Sequence, residues 1–179
     1  GQYYIAIILA EKELTEKERI RAWLKSHCYC YIGAKLMEHS YLNNPFVAAL
    51  EKVISPDGIF YKSRLVWAGD YADEEPDSGQ NLHGMADDNK MIEPETGDTR
   101  CYRYIVNHTK KLYVDKEHLF DEQQGIHPLP LLTAEGNGRG GGDYRGSQKA
   151  LVGTWARDVI SVERLVPEGY TELVCEFSE

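Results

Sequence analysis

The run Gln2 to Ala10 constrains the fold more than any other stretch of the chain. It is rich in Tyr and Ile and barely alternates between apolar and polar residues, the pattern of a strand buried on both faces. A sheet that holds such a strand centrally needs a cover on each side. Other short runs extend the sheet. Ile59 to Ala68 alternates as a strand, and Arg100 to Val106 with Lys111 to Val114 reads as a hairpin around Asn107-His108-Thr109. Further strands are predicted at Leu129 to Ala134, Leu151 to Val162 and Thr171 to Phe177.

Helical signals are fewer. Asn44-Pro45 places a good N-cap before a proline at the first helical position, and Phe46, Leu50, Val53 and Ile54 form an apolar stripe that Pro56 and Gly58 end. Thr15-x-x-Glu18 is a capping-box pattern, and Ile20, Trp23 and Leu24 follow at helical spacing. That favours a second helix, although Ile20, Ala22 and Leu24 also fit a strand. Asp115 is expected to cap a short helical turn running to Phe120. Seven or eight short strands against one or two helices predict an α+β fold, a single domain over residues 1–179 on a mostly antiparallel sheet.

Charge is uneven along the chain. Residues 70–98 hold ten carboxylates and the single Lys90, so the rest sets 19 basic residues against 19 acidic ones, and this segment carries the whole net charge of −9. The simplest expectation is an acidic solvated loop or insertion. The sharper one is a face that imitates nucleic-acid phosphates for a basic host protein. In either case, neutralising Asp73, Glu74, Glu75 and Asp77 together should leave folding intact. A charge-balanced body without a basic footprint argues against direct nucleic-acid binding.

No run approaches the roughly 18 apolar residues of a membrane span, and Tyr3 to Ala10 is too short and has no basic region before it for a secretory signal. The expectation is a cytoplasmic protein with no membrane partner. Gly1 suggests a removed initiator Met, but Ile5 stands where a myristoylation motif wants Ser or Thr. Cys28, Cys30, Cys101 and Cys175 lack the paired spacing of a structural zinc site and read as free thiols.

Three polar clusters stand at segment ends. The first runs from Glu135 to Gly146 and combines Asn137, Arg139, Asp143 and Arg145 with a dense set of glycines. Glycines let a backbone approach a ligand and the two arginines could pair with phosphate or carboxylate, which suits a small anionic, nucleotide-like ligand. A G-x-G-x-x-G match within it lacks the β-α-β context of a dinucleotide site. The second cluster is Trp67-Ala68-Gly69-Asp70-Tyr71-Ala72-Asp73, a strand end displaying two carboxylates. The third is Asn107-His108-Thr109-Lys110 at the hairpin tip, and Glu38-His39 adds an imidazole.

Converging in one pocket, His39, Asp70, Asp73, His108, Lys110, Glu135, Asn137, Arg139, Asp143 and Arg145 would bind an anionic ligand without turnover. The alternative gives Asp70, Asp73 and Asp143 to Mg²⁺ or Mn²⁺ in a metal-dependent phosphoesterase. No catalytic residue is assigned on the first reading.

Gly1-Gln2-Tyr3-Tyr4, Leu36-Met37-Glu38-His39-Ser40, the Trp67 to Asp73 block and Asn107-His108-Thr109-Lys110 resemble blocks of uncharacterised phage, prophage and gut-bacterial proteins. The Gly-rich block and Gly153-Thr154-Trp155-Ala156 extend the likeness over most of the chain. The resemblance implies a small protein that binds a host factor or sequesters a defence signal inside a bacterial host cell, and it carries no activity to transfer.

Overall fold

The computed structural model describes residues 2–11, 19–119, 125–137 and 144–178. Among them, eight strands form one mostly antiparallel sheet: β1 (Tyr4–Leu9), β2 (Ile20–Leu24), β3 (Ser63–Gly69), β4 (Tyr104–Asn107), β5 (Leu112–Asp115), β6 (Ala134–Glu135), β7 (Val159–Glu163) and β8 (Thr171–Glu172). The order is β2-β1-β3-β7-β4-β5-β8, with β6 joined in parallel to β3. Ser63 and Arg64 of β3 pair with β7, whereas Trp67 and Ala68 pair with β6. Among the described residues, three short helices, α1 (Pro45–Val53), α2 (Leu82–Met85) and α3 (Pro128–Leu132), give the α+β class that the sequence predicts.

The unalternating β1 has its explanation in two cores. Tyr4, Ala6 and Ile8 pack with Phe46 and Leu50 of α1 and Leu129 and Leu132 of α3. Ile5, Ile7 and Leu9 point the other way and pack with Ile20, Trp23, Val66, Ala68 and Leu82. The cover on that second side is the acidic stretch 70–98. It sends Leu82 inward to 2% exposure and lays Met85, Ala86 and Met91 against the same cluster. Ile92 N donates to Trp23 O (2.9 Å), and Trp23 Nε1 donates to Asp87 O (2.7 Å). The stretch is thus a second-side cover with an acidic exterior, and more than a solvated loop.

Several element assignments change. Ile20–Leu24 is a strand, paired as Ala6 with Leu24, Ile7 with Trp23, Ile8 with Ala22 and Leu9 with Ile20. Arg21 is skipped at the irregularity opposite Ile8 and Leu9, and this bulge brings Ile20 and Trp23 to one face three residues apart. The helix-like spacing is therefore a bulged strand; Thr15 and Glu18 lie outside the described residues. The expected strand Leu129 to Ala134 is α3 followed by the two residues of β6. Pro128 starts that helix at a position where no N–H is needed, and His127 Nδ1 accepts from Leu129 N (3.2 Å).

The expected strand Leu151 to Val162 begins only at Val159, because Gly153 N and Trp155 N donate to Leu131 O and Leu132 O at the end of α3. Ile59 to Ala68 starts as a strand at Ser63, and Thr171 to Phe177 holds a strand over two residues. Asn44 and α1 stand where the sequence puts them; the hairpin is present, but the strand expected from Arg100 starts at Tyr104 and takes in Asn107, and the Asp115-capped turn spans Lys116–His118, Phe120 lying outside the described residues.

Candidate functional site

Between α1 and the segment 96–100 lies a cleft of about 890 Å³. Asn44, Ala48 and Glu51 line it because residues four and three apart share one face of a helix. Leu42, Pro45 and Leu119 add apolar wall, and Thr99, Lys116 and His127 converge with Glu51. Glu51 is 2% exposed, so an unpartnered charge there would be very costly. Its Oε1 accepts from Thr99 Oγ1 (3.0 Å) and from His127 Nε2 (3.2 Å). Its Oε2 accepts from Lys116 Nζ (2.5 Å), which also donates to Thr99 O (3.1 Å). Burial alone would raise the Glu51 carboxyl, but the pull and hydrogen bonds of His127 and Lys116 outweigh it and hold the group down to about 2.

The groups around Glu51 are already engaged with one another. A carboxylate so stabilised is a poor base at neutral pH. His127 has both ring nitrogens engaged: Leu129 N–H donates to Nδ1, which leaves Nε2 to donate to Glu51. The charges of the lining residues balance, since Glu51, Asp98 and Glu117 face Lys116, Arg100 and Arg103. They are paired as Lys116 with Glu51, Arg100 with Asp98 and Arg103 with Glu117 (3.3 Å), while Arg103 also forks onto Asp115 (2.9 and 2.8 Å).

A second pocket, of about 630 Å³, lies where β3 and β6 end and collects part of the set expected from sequence. Asp73, Glu75, Glu135, Gly136, Thr154 and Arg157 line it. Arg157 binds Glu135 through Nε (2.7 Å) and Nη2 (2.9 Å) and Glu75 through Nη1 (2.8 Å) and Nη2 (3.0 Å). Burial works against that guanidinium charge, but the hydrogen bonds it donates to Glu135 and Glu75 more than offset it and raise its pKa. The lining sets three carboxylates against one arginine already held by two of them. An anion here would therefore depend on Arg139 or Arg145. Arg145 is exposed, and Arg139 and Asp143 lie outside the described residues. Asn137 adjoins this end, its N–H donating to Gln2 Oε1 (2.8 Å), and Asp70 Oδ1 accepts from Tyr3 N (2.9 Å).

The other expected site residues stand elsewhere. His39 is a core residue at 0% exposure: Trp67 Nε1 donates to its Nε2 (2.9 Å) and its Nδ1 meets Gly33 O (3.0 Å). Burial lowers its pKa to about 4 against the upward pull of the Gly33 carbonyl, so it is a neutral packing group and no ligand contact. His108 lies between Tyr170 Oη (3.0 Å) and Ser161 Oγ (2.7 Å), and Lys110 pairs with Asp158. These groups do not line either cavity.

Among the described residues, the three-residue group whose possible metal-ligand atoms come together is Asp115, His118 and Glu172, within 4.8 Å of one another. It contains neither Asp70 nor Asp73. Glu172 takes His118 Nδ1 (2.6 Å) and Asp115 faces Nε2 (3.3 Å), so the carboxylates hold opposite edges of one ring. The Glu172 hydrogen bond and the Asp115 charge raise the His118 pKa, which favours an imidazolium between the two carboxylates.

The sequence reading missed Glu51, Lys116, His127 and Thr99. A carboxylate directly after Leu50 in an apolar helix was the one local sign, while the other three are ordinary in turns. Compared with protein-family models, curated proteins and solved structures, the chain matches none.

Proposed function

We propose that this chain is a small-molecule-binding protein whose ligand seats in the cleft over Glu51 and is held without turnover. The observation that carries the reading is a buried carboxylate kept ionised by His127 and Lys116 and bonded by Thr99, in a cleft whose wall mixes Leu42, Pro45, Ala48 and Leu119 with paired charges. A concave, mostly apolar site with a few convergent polar groups and a strongly shifted carboxyl is the usual form of a ligand pocket. The engaged state of Glu51 and His127 supports binding in place of acid–base chemistry. Sequestration of a small signal, as the resemblance to phage proteins implies, fits such a pocket.

The test is a thermal-shift screen of uncharged, anionic and cationic small molecules on the protein and on Ala48→Phe, which fills the cleft from a partly exposed helix position. A ligand at a hundred times its Kd adds about 2.7 kcal/mol, which raises Tm by roughly 5–10 °C for a chain of this size. The expected result is a shift with the unaltered protein and none with Ala48→Phe. Hits that shift both proteins equally would place binding outside the cleft and overturn the reading.

A further inference from the structure

We infer that Asp115, His118 and Glu172 together bind a divalent transition-metal ion of the zinc kind, at a site independent of the cleft over Glu51. One possible ligand atom from each residue lies within 4.8 Å of the other two. Bonds of about 2.0–2.2 Å to zinc set neighbouring ligand atoms roughly 3–3.5 Å apart, so a movement of about an ångström closes the set. Asp115 is the fixed member. Its side chain is 5% exposed, Arg103 forks onto both of its oxygens, and Glu117 N donates to Oδ1 (3.0 Å). An ionised carboxylate has about four lone-pair sites, and these bonds take two on Oδ1 and one on Oδ2. The remaining one is on the oxygen that faces His118 Nε2 (3.3 Å). The side chains of His118 and Glu172 are 58% and 27% exposed, which leaves the ring and the second carboxylate room to turn onto an ion.

Two carboxylates flanking one ring call for a cation between them, and protonated His118 supplies it in the arrangement described above. A divalent ion takes over that role when a ring nitrogen gives up its proton to solvent and donates its lone pair to the metal instead. The donor set selects the metal. Carboxylate oxygens alone suit magnesium or calcium, whereas an imidazole beside them suits zinc and its neighbours. Asp115 ends β5, His118 closes the turn after it, and Glu172 ends β8, the outermost strand. β8 pairs with β5 only as Thr171 with Leu112 and Glu172 with Tyr113. An ion here staples that short edge strand to its neighbour and steadies the turn whose Lys116 bonds Glu51. Three protein ligands leave a coordination position for water or an outside donor.

The experiment is a calorimetric titration of zinc chloride into the protein, into His118→Ala and into Glu172→Gln, with magnesium and calcium chloride titrated into the unaltered protein. The His118 ring resonances are followed by NMR alongside. Asp115 is left in place because it also caps the turn and anchors Arg103. The replaced side chains are the two with exposure to spare, and Tm without metal checks that both variants fold. The expected result is a single zinc per chain that perturbs the His118 ring, with magnesium and calcium binding far more weakly. Losing even an outer partner weakens a metal site about 10- to 100-fold, so each variant, lacking a direct ligand, should lose at least roughly tenfold. Cys30 and Cys101 are exposed thiols that also attract zinc, and all three proteins share them, so only a loss specific to the variants supports the site. Zinc bound equally well by His118→Ala, or bound without disturbing the His118 ring, overturns the inference. Full affinity in Glu172→Gln does the same to the three-ligand set, and calcium or magnesium binding as tightly as zinc overturns the metal class.

Discussion

Glu51 shows how one side chain sets both a site and a pH limit. Its folded pKa lies near 2 against an ordinary 4.5, so the folded protein releases this proton more readily than the unfolded chain does. The stabilisation is present above pH 4.5 and is lost as pH falls through the interval from 4.5 to about 2. Glu51→Gln should destabilise the fold by roughly 3–5 kcal/mol at pH 7, because it strands the Lys116 ammonium in a partly buried place. The difference between the two proteins, followed by urea denaturation, should shrink steadily between pH 4.5 and the acid limit. A difference that stays constant across that interval would show that Glu51 is not the group responsible.

Residue scale is also where the sequence misleads most. His39 and Asp70 are polar groups in suggestive places, yet each is spent on a local bond, to Trp67 Nε1 and to Tyr3 N. Hydrogen bonds across 28 and 67 residues leave no trace in a linear string. Glu51, Thr99, Lys116 and His127 are joined over similar separations, and each alone looks like helix, loop or turn surface. Asp73 and Glu135 were legible as neighbours only because one follows the end of β3 and the other ends β6, where side chains converge.

At the scale of elements, legibility tracked local chemistry. α1 was readable because Asn44 and Pro45 act within one turn, and the β4–β5 hairpin because its strands are adjacent in sequence. α3 was not, since Pro-Leu-Pro-Leu-Leu is apolar throughout and its cap is a histidine. β2 was obscured by its bulge. α2 is only four residues long, yet its Leu82 closes the second core. Its helical bonds cannot account for that placement, since so short a helix is marginal by itself. Leu82→Ala should therefore cost about 2–5 kcal/mol, as for other buried leucines, and the loss should appear as a lower urea midpoint with an unchanged slope. A cost near zero would mean that the acidic cover lies loosely on the sheet.

For the whole molecule, the decisive question is how the acidic cover is fastened, because the sequence treats its carboxylates as equivalent and the structure does not. Asp73 and Glu74 are exposed. Glu75 is 7% exposed and takes two bonds from Arg157 and one from Arg19 (3.3 Å), while Arg19 also reaches Asp77 (2.6 Å). Arg157 in turn grips Glu135 of β6, so Glu75 joins the cover to the sheet end. Neutralising all four carboxylates together would therefore not be innocuous, contrary to the expectation from sequence. Asp73→Asn with Glu74→Gln should stay within about 0.5 kcal/mol of the unaltered protein, as exposed substitutions usually do. Glu75→Gln should cost roughly 3 kcal/mol or more, because it leaves the Arg157 and Arg19 charges short of their shared carboxylate in a largely water-free place. Denaturant midpoints of the two variants decide the matter: equal midpoints would mean that the cover is held by Leu82 and its apolar neighbours alone, and that the arginine fork contributes nothing to fastening it.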